Sequence, residues 1–290
     1  MTPTDERSSL GSIPDQRPAC TAIVCAYNEA TTLGKVLDAL LPSARIDELI
    51  VLDDGSRDAT PDIVQQYARF DKVNGICFGR NRGKGYAMAE AAVRARGDVL
   101  LYVDADLLNW SEAYAVQVLQ PLLSNEAEMV IGYPRRDRAD PDRLTPWLHW
   151  LSGQRAVWRH DLLPLVDTLR ESRYGVETLI NLYYRRRCKR ITLLPLHGLI
   201  HPAKLEKEPL PRAVQAYARE GYQIAQAVAG HYPLAMAAYG VKPPMTQDTL
   251  THVEVRDQLE EMIRWTRHKL LTTGETVERV MRLQEELIPD

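Results

Sequence analysis

Two carboxylates one residue apart, Asp104 and Asp106, stand at the end of the apolar run Val99-Leu-Leu-Tyr-Val103. Such a run reads as a buried strand of a parallel sheet, and its carboxyl end opens at the rim where open α/β folds bind ligands. Two hard oxygen donors on one short turn can hold a divalent cation, and that cation can hold a diphosphate. Asp-x-Asp also arises by chance in a chain of 290 residues, so its meaning depends on its surroundings.

Three more groups sit at the ends of strand-like runs. Thr21-Ala-Ile-Val-Cys-Ala26 leads into Tyr27-Asn-Glu29, a loop that can pack on a nucleotide base or simply enter a helix. Glu48-Leu-Ile-Val-Leu52 leads into Asp53-Asp-Gly-Ser56, where a carboxylate can accept a base imino N–H or make a tight turn and cap a helix. Val73 to Phe78 leads into Asn81-Arg-Gly-Lys-Gly85. There Gly83 and Gly85 permit close backbone approach, and Lys84 can meet a phosphate or a base edge, or remain a surface lysine before a helix.

The elements that must position these groups alternate. Leu33, Val36, Leu37, Leu40 and Leu41 mark a helix ended by Pro42, and Ser56 to Pro61 leads into a second. Tyr86 to Arg96 reads as a third helix and Gly175 to Arg187 as another, with further strands at Val130 to Tyr133 and Ile191 to Leu196. Alternation with short links predicts an α/β fold, a mostly parallel sheet with helices on both faces. Pro134 to Asp142 reads as a charged loop. After Lys207 the texture changes to helical patterns at Pro211 to Tyr239 and Val253 to Leu287, separated by Pro243-Pro244. The expected organisation is a polar tail over 1–20, a sheet domain over 21–207 and a helical extension over 208–290. That extension would pack on the domain or form a homodimer; peripheral membrane contact is a weaker reading, because its last helix carries at least as many acids as bases.

Composition narrows the class. A net charge of -3 gives no sign of a nucleic-acid binder. No stretch approaches about 18 uninterrupted apolar residues, so no transmembrane helix is expected. The four cysteines lack C-x-x-C spacing and read as small buried thiols in a reducing cytoplasm, not as a zinc site.

In order and spacing, Ala26 to Glu29, Asp53 to Ser56, Asn81 to Gly85 and Asp104 to Asp106 resemble the nucleotide-binding half of GT-A fold, family 2-type glycosyltransferases. Leu151-Ser-Gly-Gln-Arg-Ala156, Tyr174-Gly-Val-Glu177 and His201-Pro-Ala-Lys-Leu-Glu-Lys207 resemble a bacterial subgroup, the glucosyl-3-phosphoglycerate synthases, and more distantly polyprenol-phosphate sugar transferases. The resemblance implies a donor site for a UDP- or GDP-linked sugar made by Ala26, Tyr27, Glu29, Asp54, Lys84 and Asp104, with Asp54 on the base. It implies Mg²⁺ or Mn²⁺ as cofactor. Asp106 would be a direct ligand, Asp104 would reach the metal through water or touch the ribose, and His201 rather than His197 would complete the shell. Glu177 would face the sugar pocket, as base or as partner of donor hydroxyls. Ser152, Gly153, Gln154 and Arg155 would shape the donor or acceptor pocket, with Arg155 meeting an anionic acceptor; the alternative is a core-packing turn with an exposed Arg.

The function implied is metal-dependent sugar transfer to a small phosphorylated or lipid-linked acceptor. The chain lacks the Q-x-x-R-W motif of processive polysaccharide synthases. The stretch from Tyr133 to Leu151 is short and carries no phosphoglycerate signature, so the acceptor stays open. A nucleotidyltransferase of related fold would need a glycine-rich basic loop after the first strand, and Ala26-Tyr-Asn-Glu29 has the wrong chemistry. A non-catalytic sugar-nucleotide-binding scaffold is disfavoured by the presence of Asp104, Asp106 and His201 together.

Overall fold

The structure, a computed structural model, describes residues 17–135, 146–172 and 175–201. Seven strands form one sheet: β1 (Cys20–Ala26), β2 (Glu48–Asp53), β3 (Val73–Cys77), β4 (Val99–Tyr102), β5 (Met129–Arg135), β6 (Arg155–Trp158) and β7 (Ile191–His197). Among the described residues seven α-helices accompany them: α1 (Leu33–Leu40), α2 (Thr60–Tyr67), α3 (Lys84–Arg94), α4 (Glu112–Leu123), α5 (Arg159–Leu162), α6 (Val166–Glu171) and α7 (Val176–Arg186).

Burial explains the apolar runs. Every residue of β2 and of β4 is buried, as strands covered on both faces require. Successive residues serve opposite faces. Leu49, Val51, Leu101 and Val103 join one core cluster with α1 and α4, whereas Ile50, Leu52, Leu100 and Tyr102 join a second with α3, α6 and α7. Helix α1 buries Leu33, Val36, Leu37 and Leu40, the i, i+3, i+4, i+7 stripe visible in its sequence.

The strand order is β3-β2-β1-β4-β6-β5-β7, parallel except for β6, which runs antiparallel to both β4 and β5. After β1 the chain builds β2 and β3 to one side, then crosses to place β4 on the other. The order therefore reverses between β1 and β4, and a crevice opens at the carboxyl ends of those two strands.

The observed elements differ from the sequence reading at several points. Helix α3 starts at Lys84, two residues before Tyr86, because Gly83 at φ 98° lets the chain turn into it. Strand β4 ends at Tyr102, so Asp104 lies on the loop beyond the ladder. Strand β5 runs on to Arg135, pairing with β7, where a loop was expected from Pro134. The antiparallel β6 has only four residues, too short for a period-2 signal to stand out. Two of the four thiols, Cys77 and Cys188, are exposed, which corrects the expectation of buried cysteines. The loop over 136–142 and the extension over 208–290 lie outside the described residues.

Candidate active site

The loops after β1, β2 and β3 are sewn together before any ligand is considered. Asn28, at φ 58°, donates its N–H to Ser56 Oγ, and its side-chain oxygen accepts the N–H of Arg57. Asp53 accepts the N–H groups of Gly55 and Ser56, a tight turn that caps no helix. A Cβ on Gly55, at φ +74°, would overlap the backbone of Arg80 and Asn81. The second and third loops can therefore touch only through a glycine.

Asp54 is buried behind this contact. Its two carboxylate oxygens accept the N–H groups of Arg82 and Gly83, each at 2.8 Å. Burial pushes its pKa upward, partly offset by those two donors. Tyr27 stands 38% exposed on the rim, whereas Glu29 is engaged in helix entry: its carbonyl accepts the N–H groups of Thr32 and Leu33, and its carboxylate accepts the Thr32 hydroxyl. Ala26 ends β1 and its carbonyl accepts the Asp54 N–H.

Lys84 opens α3 and reaches across the crevice between β1 and β4. Its Nζ lies 3.0 Å from Asp104 Oδ1 and 2.7 Å from Glu177 Oε1 on α7. Burial would lower its pKa, but the two carboxylates outweigh burial and hold the ammonium well above its ordinary value. Asp104 is gripped from the other side as well, because Gln154 Nε2 donates to its Oδ2 at 2.6 Å. Gly153 packs so closely that a Cβ there would overlap the Asp104 carboxylate. Cys25, Tyr102 and Met88 floor this crevice.

The metal-type cluster follows. One ligand atom from each of Asp104, Asp106 and His201 can be chosen so that all three lie within 4.8 Å of one another. His201 arrives from far along the chain because the segment after β7 is tied to the loop after β4. Asn109 accepts the Ile200 N–H and donates to the Gly198 carbonyl, both at 2.8 Å, and Leu108 N–H donates to the Ile200 carbonyl. Tyr114 of α4 donates to the His197 carbonyl at 2.9 Å. His201 Nε2 then meets Asp106 Oδ2 at 2.9 Å. Burial would lower the imidazole pKa, yet Asp106 and Asp104 raise it on balance. Two carboxylates and an imidazole are a donor set that suits Mg²⁺ or Mn²⁺, harder than a thiolate set. His197, by contrast, lies exposed at the end of β7.

The structure thus brings Lys84, Asp104, Asp106, Glu177, Gly153, Gln154 and His201 to one place. It does not bring Arg155 there. That side chain is 0% exposed, so it is neither a surface group facing an anionic acceptor nor a solvent-exposed Arg. The sequence gives no signal for Asn109 and Tyr114, which position others and carry no motif of their own. A larger cleft of about 280 Å³, lined by Glu48, Lys72, Arg94 and Arg96, lies at the opposite end of the sheet. The carboxyl-end crevice is the better candidate, since only it joins a strand-order reversal to a convergent ligand set.

Comparison with known proteins agrees with this geometry. The profile of "Glycosyl transferase family 2" matches residues 21–205. The glucosyl-3-phosphoglycerate synthase of Mycolicibacterium paratuberculosis is 30% identical over 128 residues, which is 40% of this chain and 37% of that protein. The undecaprenyl-phosphate 4-deoxy-4-formamido-L-arabinose transferase of Pseudomonas aeruginosa is 30% identical over 141 residues, 46% of this chain and 39% of that protein. The chain thus spans under half the length of either relative. Among solved structures, glucosyl-3-phosphoglycerate synthase from Mycobacterium tuberculosis in complex with Mn²⁺ and uridine-diphosphate-glucose matches with a TM-score of 0.56 at 23% identity, over 78% of this chain and 80% of that chain. That likeness establishes a GT-A-like fold. With the profile match running over more than half of its length and on through the loop that carries His201, this chain belongs to glycosyl transferase family 2.

Proposed function

We propose that the chain is a metal-dependent glycosyltransferase, moving a sugar from a nucleoside diphosphate sugar to a small phosphorylated or lipid-linked acceptor. The observation that carries this reading is the meeting of Asp104, Asp106 and His201 beside Lys84 and Glu177 at the β1/β4 switch point. Asp106 and His201 would hold Mg²⁺ or Mn²⁺, with Asp104 behind them. When bound, the cation supplies Lewis-acid neutralisation of the charge that develops on a departing diphosphate.

The chain's own residues would do the rest. Lys84 adds a fixed positive charge next to the site of the diphosphate. Its pairing with Glu177 holds that carboxylate toward the sugar, where it can accept a hydroxyl hydrogen bond. Asp54 keeps the loop over 81–83 in place; each of its oxygens has a lone pair left for a base N–H. The synthases and polyprenyl-phosphate transferases among the relatives support the two acceptor classes named.

The test is a donor screen with Mn²⁺ or Mg²⁺, following release of free UDP or GDP with and without 3-phosphoglycerate or a polyprenyl phosphate. Metal-dependent release from at least one donor is expected. Failure of every nucleotide sugar to bind in the presence of metal would end this reading.

A further inference from the structure

Arg155 is the largest fully buried side chain among the described residues, and it is a cation. It opens β6, where its Cα pairs with Tyr102 of β4 on one side and Ile131 of β5 on the other. The side chain enters the sheet face covered by α3, α6 and α7, directly beneath the site. A guanidinium without solvent exposure needs compensation, or the site could not hold it. Burial lowers its pKa, and the charges of Glu177 and Asp104 offset part of that shift. Those are the same two carboxylates that flank Lys84.

Its hydrogen bonds run to the two halves of the site separately. Nη2 donates to the Ser152 carbonyl at 2.6 Å. Ser152 heads the turn whose Gly153 abuts Asp104 and whose Gln154 binds it. The Ser152 hydroxyl lies 2.5 Å from the Gly132 carbonyl and 2.6 Å from Gln154 Oε1, so its one proton anchors the turn to β5 or to its own glutamine. Nη1 of Arg155 faces Asn181 Oδ1 at 3.4 Å. Asn181 sits one turn after Glu177 on α7, and its Nδ2 donates to the Trp150 carbonyl at 2.7 Å, just before the same turn. Arg155 Nε finds no partner among the described residues. Among the described residues the side chain thus makes two hydrogen-bond contacts, one per half.

We propose that Arg155 is a positioning residue that locks the Asp104 clamp to α7, and so fixes the separation of Asp104 from Glu177. It touches no substrate. The proposal rests on the glycosyl-transfer reading only for its effect on turnover; the mechanical link is independent of it. An ammonium in place of the guanidinium has the charge but cannot span both acceptors in one plane.

The full chain is compared with Arg155→Met and Arg155→Lys by amide hydrogen exchange, by calorimetric titration of UDP with Mn²⁺, and by Mn²⁺-dependent release of UDP from UDP-glucose. In Arg155→Met, exchange is expected to quicken in both 152–154 and 177–181, and turnover and Mn²⁺-dependent UDP affinity each to fall roughly 10- to 100-fold. Arg155→Lys should recover part of the turnover. Protection unchanged in either segment overturns the proposal, as does turnover within twofold of the parent. If Arg155→Met does not fold, the same two segments are read in Arg155→Lys, with the same criterion. A parent chain that binds neither UDP nor any sugar nucleotide sinks the transfer reading and leaves the exchange result to decide the link.

Discussion

Beside Asp104 there is no room for a methyl group, because a Cβ on Gly153 would collide with the carboxylate that Lys84 and Gln154 hold between them. Gly153→Ala is expected to displace Asp104 and weaken Mn²⁺-dependent UDP binding by roughly 10- to 100-fold, as seen when partners behind a metal ligand are disturbed. Calorimetry checks this, and parental affinity in the variant would show that Asp104 can act from elsewhere. Lys84 is the opposite case, a cation shared by two carboxylates. Replacing it by Met leaves Asp104 and Glu177 facing each other without their counter-ion, at a cost of about 1–3 kcal/mol in denaturant unfolding. Stability equal to the parent would mean that water replaces the ammonium at no cost. Asp106→Ala should abolish Mn²⁺ binding measured by electron paramagnetic resonance, since it removes the carboxylate closest to His201. Retention of a tight Mn²⁺ site in that variant would refute the assignment.

At the scale of elements, the site depends on helices staying docked. Helix α3, which presents Lys84, is joined to α6 through Glu90, which pairs with Arg94 and with Arg170 at 2.8 Å. Burial would raise the Glu90 pKa, but the two guanidinium groups outweigh it and hold the carboxyl below its ordinary range. A carboxyl whose folded value lies below its unfolded one contributes stability that is complete above the unfolded value. That stability is lost as pH falls through the folded one. Glu90→Gln is therefore expected to lower stability at neutral pH and to flatten its decline below about pH 4.5. Urea midpoints measured from pH 7 down to pH 3 test it; parallel curves for parent and variant would show that the pair contributes nothing. The short strand β6 matters for a different reason. Its antiparallel insertion between β4 and β5 carries the turn over 152–154 to Asp104, a position no βαβ crossover would deliver.

For the molecule as a whole, stability and chemistry occupy different places. Two apolar layers sandwich the sheet, while the ligand cluster stands at its rim. Chelation with EDTA should therefore leave the thermal midpoint nearly unchanged. Excess Mn²⁺ with UDP should raise it by mass action, by about 2.7 kcal/mol equivalent at a hundredfold excess over Kd. A collapse of the fold on chelation would make the metal structural. Removing core volume should do what chelation does not: Leu100→Ala, in the centre of β4, is expected to cost about 2–5 kcal/mol.

The alternation of buried runs and glycine- or aspartate-rich ends was legible along the chain, because a strand covered on both faces and a loop that needs turn chemistry each leave a local signature. That is enough to order Asp54, Lys84 and Asp104 along one edge of a sheet. The resemblance named His201 as a partner of Asp106, but local patterning could not display how groups so far apart in the chain are brought together. His201 reaches Asp106 only because Asn109 and Tyr114 tie the loop after β4 to the segment after β7, and neither residue type announces such a role. In the sequence Arg155 reads either as a group for an anionic acceptor or as an exposed Arg beside a core-packing turn, since arginine is rarely buried. The fold reverses that, because the antiparallel β6 turns the side chain inward, where the carboxylates of Glu177 and Asp104 offset part of the loss of water. Residue type and local periodicity determined which groups could act. The tertiary structure alone decided which of them meet, because charges, hydrogen bonds and steric limits act through space and not along the chain.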